Sequence, residues 1–349
     1  GATGSWRAVH EVVDHFAALQ PSAPALEDAQ GAWSYAELQA ASRQLAGALA
    51  SKWPQVAQRA APAPCWEEQP QAPRPVALYM ERSREFFALC LAAWRLGLPV
   101  VALSQDMPDK KVEAQRNAQI LEQLRPLALI ARRSEASDSS AGDASTQSRI
   151  LEELLQEDAT FVDLLEVLAV LRDGRTATND PRAAVEALSP VSPESVLVYV
   201  YTGGTTKASK CVTVTHAMAL WEAENYPSAL AGSGAGPADR MLQYSSLFWG
   251  AAVFGQLSLG LAFGACVCIG GCGLSPSSSL SSSPLGQDSP KAPSPPKGAG
   301  DALRQLATDV ETFRVTFLGV VPSQLRGAWP GGPKTRPRSL RALVLWADK

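Results

Sequence analysis

The chain has 349 residues, 46% of them hydrophobic, which is enough apolar material for one large core or two medium ones. Its 31 Lys and Arg against 34 Asp and Glu leave a formal charge of -3, which removes any general attraction to nucleic acid or to an anionic membrane. A local basic loop that holds a phosphate is still compatible with that balance.

The first residue is Gly1, so a processed or fragmentary start is compatible with the sequence, and the lack of a signal peptide says little about location. Ser34-Tyr35-Ala36-Glu37 has capping-box spacing. Tyr35, Leu38, Leu45 and Leu49 then recur at helical spacing, predicting an amphipathic helix that ends near Ala50. Residues 58–75 are too rich in proline for regular structure and read as a surface loop. "VALYM" predicts a buried strand, Ser83 caps a helix that Gly97 ends, and "PVVAL" is a second short strand. A helix over 111–125 and the strand "LALIA" from Leu127 follow, then a helical stretch from Leu151 to Leu171. Strands alternating with helices at this spacing predict an α/β fold with mostly parallel sheets covered by helices.

The second half contains two strand-like runs, Val196–Tyr201 and Cys211–Thr215, with Thr215 as a candidate helix cap. Leu247 to Ile269 carries no charge and is long enough to span a bilayer. Gln256, Ser258 and Gly264 argue instead for a buried helix followed by the strand "ACVCI", and no membrane span is expected. The 26 residues from Ser275 to Gly300 include nine serines and six prolines, too little apolar surface to offset the entropy of ordering, so a disordered insertion is expected. A helix near Asp301–Val310, the strand "RVTFLGV" and the strand in "LRALVLWADK" close the chain. Two α/β subdomains are expected, 1–190 and 191–349, the second truncated at its C-terminus. Of the six cysteines, only Cys266, Cys268 and Cys272 cluster, and with three histidines in the chain and none beside them, no metal site is expected. Free thiols in a reducing, cytoplasmic setting fit this usage.

The chemistry concentrates in "YVYTGGTTKASKCVTVTH", Tyr199 to His216. Gly203 and Gly204 permit tight turns and leave backbone amides open to a ligand, Thr202, Thr205 and Thr206 offer hydroxyls, and Lys207 and Lys210 bring positive charge. That set makes an anion cradle, although its spacing is not that of a Walker A loop. A solvated connection with turning glycines explains the same composition, and composition leaves the two readings level.

This segment resembles the phosphate-binding signature of the adenylate-forming superfamily, the group of acyl-CoA synthetases, luciferases and peptide-synthetase adenylation domains. Tyr201, Thr202, Gly204, Thr205, Thr206, Lys210 and Val212 match it, and Thr215-His216 matches its tail. "PSAPALEDAQGAWSYAELQAASRQLAGAL", "PVALYMERSREFFALCLAAWRLGLPVVAL", "DRMLQYSSLFWGAAVFGQLSLGLAFGACVCI" and "VTFLGVVPSQLRG" resemble successive blocks of the same family. The match covers nearly the whole chain outside its proline- and serine-rich insertions.

The resemblance implies the N-terminal part of an adenylate-forming domain, which makes an acyl adenylate from a carboxylic acid and Mg-ATP. It implies that Thr202, Gly203, Gly204, Thr205, Thr206 and Lys210 bind the nucleotide, with Lys210 bearing on the phosphate end as the catalytic group; Lys207, which the family pattern does not contain, reads either as an added phosphate contact or as a solvated lysine. It also implies an acid pocket near His216, Phe248, Trp249 and Gly250, and coenzyme A or a phosphopantetheine carrier as acceptor. His216 reads equally as a buried histidine in the first turn of a helix. The signature is degenerate at Gly203 (serine in the family), Lys207 (glycine), Ser209 (proline) and Cys211 (glycine). Amino-acid-activating members carry an aspartate after the phenylalanine of a Phe-Asp pair; the closest placement here is Phe248, Trp249 and Gly250, and no acidic residue occurs between Asp239 and Asp288, which favours a non-amino acid. The adenine loop, ribose aspartate, hinge and late lysine of the family would lie beyond Lys349. A nonenzymatic interaction module with the same sheet is the competing reading, and a membrane-attached protein anchored through 247–269 a third.

Overall fold

A computed structural model describes residues 6–54, 56, 72–107, 109–133, 143–173, 191–201, 210–247, 255–271, 299–320, 322–331 and 337–345. The proline-rich loop at 58–71 and the serine-rich insertion at 275–298 lie outside the described residues.

Val9, Val12, Val13, Phe16 and Ala17 form one buried stripe at helical spacing, and helix α1 (Val9–Leu19) follows it. Strands β1 (Pro24–Asp28) and β2 (Gly31–Ser34) form a hairpin. Helix α2 (Tyr35–Lys52) starts with the expected capping box: the Ser34 hydroxyl accepts from the Glu37 amide at 3.2 Å, and the Glu37 carboxylate accepts from the Ser34 amide at 2.7 Å. β3 (Val76–Tyr79), α3 (Arg84–Arg95), β4 (Val100–Ala102), α4 (Lys110–Leu124) and β5 (Ala128–Ala131) alternate as expected. Ser83 caps α3, and Gly97 takes a left-handed backbone, φ 71°, just after it.

The stretch from Leu151 to Leu171 differs from the expected helix. Helix α5 (Asp143–Glu153) ends before strand β6 (Thr160–Asp163), and α6 (Leu164–Asp173) begins after it. Apolar periodicity runs through the region, but β6 pairs with β5 over its whole length, and that ladder overrides the local helical pattern.

Strands β7 (Val196–Tyr201) and β8 (Cys211–Thr215) precede helix α7 (His216–Ala229) and β9 (Arg240–Gln243). A short helix α8 (Leu257–Ala262) and β10 (Cys266–Ile269) follow, with Gly264 at φ 62° between them. This is the buried helix and strand expected there. Gly260 lies so close to β10 that a Cβ on it would collide with the Val267 side chain. Among the described residues, no helix is long and apolar enough to cross a membrane. Helix α9 (Ala299–Thr312), β11 (Phe317–Val320), α10 (Pro322–Ala328) and β12 (Ala342–Leu345) complete the fold.

Among the described residues two six-stranded sheets result, ordered β12-β11-β9-β10-β1-β2 and β6-β5-β3-β4-β7-β8. In each, the first five strands are parallel and the last is antiparallel. The first sheet joins early strands, within 24–34, to late ones, within 240–345, whereas the second is built from the middle of the chain, 76–215. Val76 and Leu78 on β3 share one core with Leu26, Val267, Ile269 and helices α1 to α3, so these helices pack between the sheets. Ala77 and Tyr79 point the other way, onto Ile120, Leu121 and Leu151 of α4 and α5. Burial on both faces explains why the strands read as continuous apolar runs.

Candidate active site

Strand β7 sits next to the edge of the second sheet and ends at Tyr201, which pairs with Cys211 at the start of β8. The glycine- and threonine-rich connection therefore departs from the carboxyl end of a parallel strand, the side on which open α/β sheets bind ligands. Thr202, Gly203, Gly204, Thr205, Thr206 and Lys207 themselves lie outside the described residues. Lys210 is described: it is exposed and stands immediately before β8.

The root of the hairpin is firmly held. Trp94 on α3 is fully buried, and its indole N–H donates to the Leu197 carbonyl of β7 at 2.8 Å. The Tyr201 hydroxyl donates to Gln123 Oε1 at 3.0 Å, and the Arg116 guanidinium lies 5.6 Å from the Tyr201 ring centre. Burial, reinforced by the neighbouring Cys211 thiol, raises the Tyr201 phenol above its usual range and pushes Tyr199 up to about 12. Both stay neutral at physiological pH.

His216 opens α7, which Thr215 caps by accepting from the Met218 amide at 3.3 Å. The residue is 1% exposed, and its Nδ1 accepts from the Val9 amide of α1 at 3.1 Å. The ring thus joins α7 to α1, with Trp94 and His10 edge-on at 6.4 and 6.5 Å. Burial lowers the His216 pKa to about 4. Burial, then Arg95, takes His10 to about 3. Asp14 is the nearby carboxylate; burial alone would raise it, but hydrogen bonds and charge from Arg95 hold it below the usual range.

Both histidines are neutral in the folded protein, whereas the unfolded chain takes up protons below about pH 6.5. The stability they support is complete above that value and is lost as pH falls toward about 4 for His216, a loss of ~3 kcal/mol for that group at ~1.4 kcal/mol per pH unit. Urea denaturation across this window should show the decline. His216→Gln, which keeps an acceptor for Val9, should make it shallower, and an unchanged slope would rule His216 out as its source.

The carboxyl ends of the two sheets meet beyond β3, β4 and β9. Arg82 after β3 donates to the Tyr244 carbonyl after β9. Ser246 Oγ donates to Asp106 at 2.8 Å, and the Tyr244 hydroxyl donates to Gln324 of α10 at 2.6 Å. Asp106 belongs to a loop pinned by the buried Glu113, whose carboxylate accepts from Ser104 Oγ, the Met107 amide and Lys110 Nζ at 3.2, 2.7 and 3.0 Å. Segment 244–247 is consequently gripped from both sheets, just ahead of Phe248, Trp249 and Gly250, which lie outside the described residues. Sequence reasoning did not single out Arg82, Asp106, Gln243, Tyr244 or Ser246. Their signal is a cluster of polar residues just past the ends of apolar strands. Among the described residues no group of His, Cys, Asp and Glu is placed to hold a metal ion.

Residues 68–277, more than half of the chain, match the family model described as AMP-binding enzyme. The chain belongs to the AMP-binding, adenylate-forming family. Among curated relatives, it is 27% identical over 265 residues to nonribosomal peptide synthetase 7 of Gibberella zeae, an alignment covering 75% of this chain and 5% of that protein. It is 26% identical over 261 residues to nonribosomal peptide synthetase otaB of Aspergillus carbonarius, covering 75% and 11%. The chain thus spans a small part of the length of the curated relatives it matches. Among solved structures it resembles VinN, with 18% identity, TM-score 0.65, and coverage of 99% of this chain and 69% of that one. It also resembles the NpsA N-terminal subdomain of Klebsiella oxytoca in complex with 3-hydroxybenzoyl-AMSN, with 17% identity, TM-score 0.63, and 98% and 66% coverage. At these identities the likeness establishes the fold, that of an adenylation N-terminal subdomain with mostly parallel sheets covered by helices.

Proposed function

We propose that this chain forms the phosphate- and acid-binding part of an enzyme that activates a carboxylic acid with ATP. A carboxylate oxygen attacks the α-phosphorus, the bond to the bridging oxygen breaks, and pyrophosphate leaves with the acyl adenylate formed. The observation that carries the reading is the β7–β8 hairpin, whose connection, residues 202–210, leaves the carboxyl end of a parallel strand inside the family match. In this reading Thr202, Thr205 and Thr206 donate hydroxyls, and Gly203 and Gly204 let the backbone approach the phosphates. Lys207 and Lys210 meet the charge that grows on departing pyrophosphate. Mg2+ enters as the partner of ATP, and no step is assigned to it because the described residues gather no donor set for an ion.

The acceptor in this proposal is a thiol, of coenzyme A or a carrier's phosphopantetheine arm, which takes the acyl group as AMP leaves. VinN has been solved with L-aspartate and NpsA with a 3-hydroxybenzoyl-AMSN ligand, so solved relatives include complexes with both amino and aryl acyl groups. Here the absence of an acidic residue between Asp239 and Asp288 would leave a buried ammonium unpaired, which favours a non-amino acid. A cytoplasmic location goes with the free thiols of Cys90, Cys211, Cys266 and Cys268.

Exchange of labelled pyrophosphate into ATP, measured with the full protein over a panel of acids, tests the activity. Exchange that depends on an added carboxylate is the expected result. ATP binding without exchange for any acid would favour the nonenzymatic module, a reading supported by the four replacements at Gly203, Lys207, Ser209 and Cys211.

A further inference from the structure

Gln243 ends β9 and Gln256 stands at the start of α8; the two residues are 0% and 2% exposed. Gln256 Oε1 accepts from the backbone amides of Tyr244 and Ser245, both at 3.1 Å, and from Gln243 Nε2 at 3.4 Å. Gln243 Nε2 also donates to the Ser245 carbonyl at 2.7 Å. These backbone partners fix which end of each amide is oxygen and which is nitrogen. Two atoms are then left over: Gln243 Oε1 and Gln256 Nε2 are buried without a hydrogen-bond partner among the described residues.

A buried polar atom without a partner keeps the full cost of its lost hydration, and a fold rarely keeps two in touching side chains without something to fill the need. One of these atoms is an acceptor and the other a donor. A hydroxyl answers both, since it donates one proton and offers lone pairs. An ammonium would satisfy the carbonyl oxygen but only crowd the N–H, and a carboxylate would do the reverse. Neither Gln carries a charge to balance them.

We infer that Gln243 and Gln256 form a specificity site for a neutral hydroxyl on the acid substrate, so that the preferred substrate class is a hydroxylated carboxylic acid. The inference rests on the acid activation proposed above. It goes further by fixing a substituent from the amide pair that grips segment 244–245.

The test compares matched acids, the butanoate and benzoate series bearing hydrogen, hydroxyl or ammonium at each ring or chain position, by isothermal titration and by pyrophosphate exchange with the full protein. At least one hydroxylated acid should bind about tenfold or more tightly than its hydrogen parent. Gln256→Glu keeps the acceptor for Tyr244 and Ser245 but replaces the free donor with a carboxylate oxygen. It should erase that preference and raise the relative binding of the amino analogue. Gln243→Leu, which leaves the Gln256 contacts to the backbone in place, should also erase it and serves if the first variant does not fold. Parents that bind as well as their hydroxylated partners, no binding in either series, or a preference that survives both substitutions would overturn the inference and leave the amides to a structural water. Exchange reports on activation separately: a hydroxyl preference in binding with no exchange would sink the proposed activity and not the site.

Discussion

With Lys210 placed at the phosphates as proposed, Lys210→Ala should lower carboxylate-dependent pyrophosphate exchange by about 100-fold, the scale of losing one preorganised donor to developing charge. Lys210 stands one residue before β8 and is exposed, at the far end of the connection that leaves β7 after Tyr201. Replacing an exposed side chain at a strand entrance changes stability by only ~0.5 kcal/mol. Thermal denaturation of the variant should therefore coincide with wild type while exchange collapses. Lys210→Arg keeps the charge and should recover part of the rate. Wild-type exchange in Lys210→Ala would remove this residue from the phosphate site.

Trp94→Ala costs about 4 kcal/mol of folding stability, because it opens a large cavity where the side chain is fully buried and deprives the Leu197 carbonyl of its donor. That is a large fraction of the ~5–15 kcal/mol by which a typical domain is stable. Trp94 reaches from α3 to β7 and the His216 ring, so the loss should spread to the β7–β8 hairpin. Urea denaturation measures it directly. Trp94→Phe keeps most of the ring and loses the N–H, so a cost of about 1–2 kcal/mol is expected. A cost below about 1 kcal/mol for Trp94→Ala would show that the site collapses around the gap and that β7 does not depend on the contact.

Much of the secondary structure is legible in the sequence because its determinants are local. The Ser34–Glu37 capping box needs only three residues of spacing, and it forms as that spacing predicts. Runs such as "VALYM" and "ACVCI" are apolar throughout, which points to strands buried on both faces. Leu151–Leu171 misleads because a short strand carries no more periodicity than a helical turn, and its pairing partner β5 lies some thirty residues earlier. The helix over Val9–Leu19 carries a clear apolar stripe, a local signal of the same kind.

The candidate site divides along the same line. The glycine, threonine and lysine residues around Tyr201 can be named from composition and resemblance, since their chemistry is written in adjacent positions. His216 can be placed at a helix start, but its bond to Val9 joins positions 207 residues apart. Arg82 with Tyr244, Asp106 with Ser246, and the unpartnered atoms of Gln243 and Gln256 emerge only when two sheets bring their carboxyl ends together.

By itself, then, the amino-acid order determined the alternation of strands and helices and the caps, because backbone preference and turn chemistry act over a few neighbours. Tertiary structure decided which sheet each strand joined, which polar side chains were satisfied and which were left over. Those outcomes depend on pairing and burial between distant segments, where a hydrogen bond counts only once both of its partners have been removed from water.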